Sequence, residues 1–452
     1  MSRKLPEVVR SAIELHRRQA SALIKAMGLT LSRGHIMTLE NLRFKSPQAA
    51  LRSVALKMQG FSASDERVPT GNAIGRVLAE DVRASIDSPG FVRPWVDGYA
   101  TKAKWTEGAS AARPAILRLG GKLFPEDYPT SCKLEARGAF FVACGAPLPS
   151  GADAVVRVED ARVTGSQVAV LRQAIRGDGL SQVGEDVRKG TVLARKHRII
   201  GPQEMGLIMG AGKSEVTVFR KPKLAILSVG DELVDMEHFA ANRIINNYAY
   251  VVSATATDLG IQPILLGIAK DDVNEIAAKL SDGIRLSDAV ATIGGCSVGP
   301  KDLVPEAVSR LGAIVFHGVR IRPGHVAGAG IVDGKPVFML PGHITSCTMA
   351  FYVFVLPILA RFAGTTPSQT LPSVTAELTA NIEKASTYRF LRLRLRKMPG
   401  RLLAEPIHGG TNIMSSLSRA NGFALIPPNA AVRKGQKIDV TLFSRLEHAR
   451  FV

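Results

Sequence analysis

A multidomain chain of mixed α/β and β type, centred on a doubly wound α/β domain, is predicted by three observations. Between about residues 223 and 364, apolar strand-like runs repeatedly give way to a glycine-bearing or acidic loop and then to a helix-like stretch. Ahead of that region, residues 101–186 are rich in short β-patterned runs separated by Gly and Pro turns. The length, 452 residues, exceeds what one hydrophobic core fills.

Taken in order, the first 45 residues form a basic extension. Val8, Ile13, Leu15, Ala20, Leu23 and Ile24 suggest a basic amphipathic helix, a solvated tail being the alternative. Without a continuous apolar core it does not read as a secretory signal. Residues 46–100 open with an amphipathic helix over 49–58 and continue into strand-like pieces. Residues 101–186 read as a small β domain, with runs such as Ala139-Phe140-Phe141-Val142-Ala143. Residues 223–370 form the α/β domain, and the clearest element after it is a strand over 391–396.

Within the α/β region, Leu224-Ala225-Ile226-Leu227-Ser228 reads as a buried strand running into Val229-Gly230-Asp231-Glu232. A helix over 250–259, a strand over 263–268 and the acidic pair Asp271-Asp272 follow. Then comes the strand Ala289-Val290-Ala291-Thr292-Ile293, which runs into Gly294-Gly295-Cys296-Ser297-Val298-Gly299-Pro300-Lys301-Asp302 before a helix over 303–311. A glycine-rich turn between strand and helix gathers bare backbone N–H groups and suits a phosphate, with Asp302 placed to share a bridging cation. A turn that merely reverses the chain is the competing reading. In a doubly wound parallel sheet the loops beyond the strands' carboxyl ends meet in one crevice, which would unite Glu232, Asp271, Asp272 and Asp302. Each carboxylate alone also fits the cap of its following helix.

Composition narrows the partners. Lys and Arg number 58 against 39 Asp and Glu, a formal charge of +19, which favours an anionic partner: nucleic acid, a phosphorylated cofactor or an oxyanion. Cys132, Cys144, Cys296 and Cys347 show no CxxC spacing and read as small buried residues of a protein in a reducing cytoplasm. The apolar stretch over 349–360 contains Pro357 and falls short of the roughly 20 residues of a membrane span, so it reads as a buried helix. Leu391-Arg392-Leu393-Arg394-Leu395-Arg396 reads as a strand with leucines on one face and arginines on the other, either solvated or meeting a phosphate.

Several blocks, in order, resemble one family. They are Gly75-Arg76-Val77-Leu78-Ala79-Glu80-Asp81-Val82, Pro94-Trp95-Val96-Asp97-Gly98-Tyr99-Ala100, Leu148-Pro149-Ser150-Gly151-Ala152-Asp153, Gly184-Glu185-Asp186-Val187-Arg188-Lys189-Gly190, the two loops above, Leu340-Pro341-Gly342 and Ser415-Ser416-Leu417-Ser418-Arg419-Ala420-Asn421-Gly422. The chain is similar to the molybdopterin molybdenumtransferases of the MoeA type, which include the C-terminal domain of gephyrin. That resemblance implies that residues 46–100 and 187–222 form one elongated mixed domain, with the small β domain of residues 101–186 inserted between them, and that residues 371–452 form a C-terminal β domain. It also implies insertion of molybdate or tungstate into adenylylated molybdopterin with release of AMP. It implies Mg²⁺ held by Glu232, Asp271, Asp272 and Asp302, with Asp97, Glu232 and Asp302 as catalytic candidates. Pterin phosphates would lie near Gly294, Gly295, Ser297 and Gly299, and Asp186 would be a further site residue. A homodimer is implied, with the Asp97 loop facing the acidic loops of the other subunit, as is a cytoplasmic enzyme that engages no membrane.

The chain departs from the family pattern at Pro94-Trp95-Val96, at Asn246-Asn247-Tyr248 and at two loops that carry His325 and His343 after Pro-Gly. At least one of these histidines is expected to contact the oxyanion or the pterin phosphate. The altered loops leave open a second reading, a catalytically weakened pterin-binding or scaffold protein. Nucleic acid ranks last, because no aromatic-rich RNA motif accompanies the charge.

Overall fold

The computed structural model describes residues 44–58 and 63–444; the amphipathic helix expected near the N-terminus lies outside them. Helix α1 (Pro47–Lys57) starts at Ser46, whose side chain accepts from the Ala49 N–H, with Pro47 in the first turn, where its missing N–H costs nothing. Assigned by sequence to the elongated segment, α1 instead buries Ala50 and Val54 against the α/β domain, and Lys45 Nζ reaches the Val315 carbonyl at 3.2 Å.

The α/β domain follows the alternation read from the sequence. Its elements are β1 (Lys223–Val229), α2 (Asn247–Asp258), β2 (Gln262–Ala269), α3 (Val273–Leu286), β3 (Ala289–Ile293), α4 (Val304–Leu311), β4 (Ala313–His317), β5 (Gly328–Val332), β6 (Lys335–Leu340) and α5 (Ile344–Phe362). The sheet order is β2-β1-β3-β6-β5-β4. Alternate residues supply the two faces: Leu224 and Ile226 join the core under α2 and α5, while Ala225, Leu227 and Val229 join the one under α3 and α4. β1, β2, β3 and β6 are parallel, β5 turns back antiparallel to β6, and β4, antiparallel to β5, runs in the same direction as the other four. This corrects the expectation of a wholly parallel sheet. The cause is local: Asp333 (φ 49°) and Gly334 (φ 75°) form a two-residue turn with both residues left-handed, the geometry that closes a hairpin.

α5 is long and apolar enough to cross a membrane by length and composition, yet 83% of its apolar window is buried inside the protein. Pro357 lacks an N–H for the turn behind it, and the helix widens to π geometry over Phe351–Val355 just before the proline.

Two segments far apart in sequence form the elongated part. Asp65–Pro69 pairs with Glu215–Phe219, and Val82–Arg83 with Val192–Ala194. Between them a six-stranded sheet is inserted, and Gly98–Thr101 lies inside that sheet, bonded to Gly138–Val142 and Ala154–Arg157. The chain enters the insert at Arg93–Pro94 and leaves at Leu180–Ser181, and these two strands pair with each other. The C-terminal sheet closes on itself, since β7 (Tyr388–Met398) pairs with both Arg401–Pro406 and Gly422–Ile426. Ile321–Arg322 of the α/β domain adds to β7 in parallel and ties the two domains together.

Asp288 joins the elongated part to the α/β domain. Its carboxylate accepts from Arg220 Nη2 and from the Lys223 N–H, both at 2.7 Å, while only 8% of the residue is exposed. Asp288→Ala leaves both donors without that acceptor and is expected to cost about 1–3 kcal/mol, read as a lowered melting temperature, with Asp288→Asn less damaging.

Candidate functional site

A cleft of about 1560 Å³ opens at the carboxyl ends of the parallel strands, between the α/β and C-terminal domains. Of the residues proposed from sequence, Glu232, Asp271, Asp302, Gly294, Gly295, Ser297, Gly299, His325 and His343 line it. Asp272, Asp97 and Asp186 do not line this chain's cleft. Asp272 Oδ1 accepts from the N–H groups of Asn274 and Glu275, so for this residue helix capping accounts for the carboxylate. Asp97 Oδ1 accepts from the Cys144 N–H at 2.7 Å.

The glycine-rich loop sits where the sequence placed it, but its donors are partly spent. Asp302 takes the N–H groups of Ser297 (2.8 Å) and Gly299 (2.7 Å). The Gly294 N–H donates to Leu340 O at 3.0 Å. Donors facing a ligand must therefore come from elsewhere in the loop, including the Ser297 hydroxyl. Gly294 and Gly295 have φ of 91° and 61°, and a Cβ on Gly294 would lie 2.7 Å from the Val229 carbonyl oxygen, so side chains are excluded there twice over.

At the acidic loops, Lys301 Nζ lies 3.0 Å from Asp231 Oδ2 and 3.7 Å from Asp271 Oδ2. The Lys301 ammonium, with the Asp271 N–H, holds the Asp231 carboxyl below its usual range. Among the described residues no trio of His, Cys, Asp or Glu side chains is set to hold a metal ion.

Arginines form the opposite wall, a feature that the sequence reading left ambiguous. Arg392 is 8% exposed rather than solvated. Its Nη1 donates to Thr345 Oγ1 (3.0 Å) and to Ser416 Oγ, and its Nη2 to Gly409 O (2.9 Å). All of these are neutral acceptors. Burial pulls its pKa below the usual guanidinium value, with Arg419 adding repulsion, yet a guanidinium stays charged. Arg322 and Arg389 are register partners across the domain junction and also line the cleft. Like charges directly opposite repel, and no carboxylate forms an ion pair with any of these three among the described residues. The leucine–arginine alternation was the available signal; its reading as a solvated face fails at Arg392, which the fold packs against Thr345 of α5, while Arg394 is half-buried and Arg396 exposed.

His343 Nδ1 lies 2.8 Å from Thr411 Oγ1, and the Thr345 N–H donates to Thr411 O, so the second Pro-Gly loop is stitched to the C-terminal domain. His325 faces the cleft beside Arg322. Burial, and secondarily the Arg322 charge, hold its imidazole below the ordinary range. It is therefore a neutral hydrogen-bonding group near pH 7. The cysteine expectation holds for half of the four: Cys296 and Cys347 are buried, whereas Cys132 is half-buried and Cys144 exposed.

Three family models match the chain in sequence: the MoeA N-terminal region (domain I and II) over residues 45–212, a probable molybdopterin binding domain over 225–361, and the MoeA C-terminal region (domain IV) over 375–443. A putative molybdopterin biosynthesis protein of Methanocaldococcus jannaschii is 32% identical over 381 residues, 82% of this chain and 90% of that protein. The molybdopterin molybdenumtransferase of Bacillus subtilis is 31% identical over 392 residues, covering 83% and 89%. The crystal structure of a molybdopterin biosynthesis MoeA protein from Pyrococcus horikosii superposes with a TM-score of 0.76 at 32% identity, covering 89% of this chain and all of that one.

A depressed histidine pKa has a definite sign. The unfolded chain takes up a proton near pH 6.5 that the native His325 ring refuses, so stability falls as pH drops below that value and is unaffected above it. In an NMR titration His325 should show its midpoint below the ordinary imidazole value, and His325→Asn should flatten the acid side of the stability profile. A midpoint at or above the ordinary value would count against a neutral His325.

Proposed function

Because the chain belongs to the MoeA family, we propose that it acts in molybdenum cofactor biosynthesis as a molybdopterin molybdenumtransferase, inserting molybdate or tungstate into adenylylated molybdopterin with release of AMP. The observation that carries this reading is a single cleft with two unlike anion-binding walls. One is a glycine-rich turn over a parallel sheet, suited to the pterin phosphate. The other is the group Arg322, Arg389 and Arg392, which pair with no carboxylate among the described residues and whose forked donors suit an oxyanion. Holding both substrates in one cleft removes much of the entropic barrier to their reaction. Neutral His325 adds a donor or acceptor beside Arg322. The dithiolene sulfurs of such a substrate need a reducing compartment, which supports the cytoplasmic assignment.

Magnesium is part of this reading. Mg²⁺ takes oxygen ligands and keeps much of its water, so one or two carboxylates beside substrate phosphates suffice. Glu232 and Asp271, both on the cleft wall, fit that donor chemistry, Asp271 once Lys301 turns away from its Oδ2, whereas Asp272 and Asp302 are each held by two backbone N–H groups. When bound, the ion would offset phosphate charge during cleavage of the pyrophosphate bond.

A homodimer completes the proposal. Asp97 and Asp186 lie outside their own chain's cleft, and Trp95, 53% exposed with Arg157 stacked 5.1 Å over its ring, stands beside Asp97. An exposed aromatic flanking a family-motif carboxylate suits a subunit contact.

Purified protein with adenylylated molybdopterin and molybdate should release AMP, and a pterin-binding scaffold would bind without release. Arg392→Ala should lower turnover by at least tenfold, since a cleft cation is lost and Ser416 and Thr345 lose their donor. Asp97→Asn and Glu232→Gln should each be inactive alone yet recover part of the activity in mixed dimers. Dimeric single mutants that show no recovery on mixing would rule out a shared site.

A further inference from the structure

The group that fixes the shape of the glycine-rich loop comes from behind it. His317, the last residue of β4, is 7% exposed and does not line the cleft. Its Nε2 lies 2.7 Å from the carbonyl oxygen of Cys296. A carbonyl can only accept, so Nε2 carries the proton and donates. Nδ1 is buried without a hydrogen-bond partner among the described residues. The ring is neutral: burial lowers its pKa and outweighs the Cys296 and Val326 carbonyls and the Asp302 charge, which all favour the cation.

The peptide between Cys296 and Ser297 is thus held at both polar atoms. Its carbonyl accepts from His317, and its N–H donates to Asp302 Oδ1 at 2.8 Å. The Cys296 side chain, 2% exposed, is fixed in the core under α3 and α4. Turning this peptide over would rotate ψ of Cys296 and φ of Ser297, and the bonds to His317 and Asp302 are what oppose that rotation. A turned peptide would aim its carbonyl at the cleft and present a negative dipole end where an anion is to bind.

We propose that His317 is a positioning residue for phosphate capture: by donating from Nε2 to the Cys296 carbonyl it keeps that oxygen turned into the protein and the loop in its anion-accepting form. It acts through the loop and touches no substrate. This deepens the reading of the loop as a pterin-phosphate site and rests on it.

Glutamine and asparagine separate the proposal from a general packing effect, because both are polar and similar in burial demand. The Gln side-chain amide nitrogen sits close to the position of imidazole Nε2, while that of Asn falls at the position of Nδ1. Molybdopterin affinity, measured by titration of the full chain, should stay near wild type in His317→Gln and weaken roughly tenfold in His317→Asn, the consequence of one unmet buried carbonyl. Equal affinity in wild type and a folded His317→Asn overturns the proposal, as does a loss in His317→Gln as deep as in His317→Asn. If the Asn variant does not fold, the Gln variant decides: near-wild-type affinity supports the proposal and loss overturns it. Failure of the wild type itself to bind molybdopterin would instead refute the underlying phosphate-loop reading, so the two failures are distinct.

Discussion

Parallel strand pairing is the constraint on which the site depends. A parallel neighbour can be reached only by crossing back over the sheet, so β1, β2, β3 and β6 all end on the same edge, and whatever follows them is delivered there. Asp231 and Glu232 follow β1, Asp271 follows β2, the glycine-rich turn follows β3, and Gly342-His343 follows β6. Residues more than a hundred positions apart thereby share one cleft. β4, at the far end of the sheet, runs in the same direction and ends on the same edge, which brings His317 under the turn.

The second wall has a different origin. Ile321–Arg322 leaves the α/β domain as an added strand of the C-terminal sheet, and β7 then carries Arg389 and Arg392 to the same opening. Acidic groups lie on one side and arginines on the other, with few ion pairs across. On the acidic side Lys301 already pairs with Asp231 and Asp271, whereas Arg322, Arg389 and Arg392 pair with no carboxylate among the described residues. The arginine side therefore favours an anionic group of a ligand, and the acidic side a cation or a hydrogen-bond donor.

Much of this could be read from the chain, and the limits have physical causes. Strand–loop–helix alternation over 223–311 was legible because each strand is an unbroken apolar run, as expected where both faces are covered. The hairpin at Asp333-Gly334 was also signalled, by a dipeptide suited to left-handed dihedrals, but the expectation of parallel strands masked it. Asp272 and Asp302 illustrate a real degeneracy: a carboxylate after a strand serves a cap or a ligand equally well until its hydrogen bonds are seen. Arg392 could not be placed from sequence, because whether an arginine facing outward from a strand meets water depends on what a distant domain lays over it. His317 carried no signal at all, for its role consists of one contact across 21 residues.

The paired strands Arg93–Pro94 and Leu180–Ser181 make the inserted sheet topologically a side loop, with its beginning and end zipped together at the base. Because its ends already meet, lengthening, shortening or replacing what lies between them changes the closure entropy only slowly and leaves the parent strands in register. The insert is thus a place where the lineage can exchange material without disturbing the cleft, and a natural seam for grafting a foreign module into the chain.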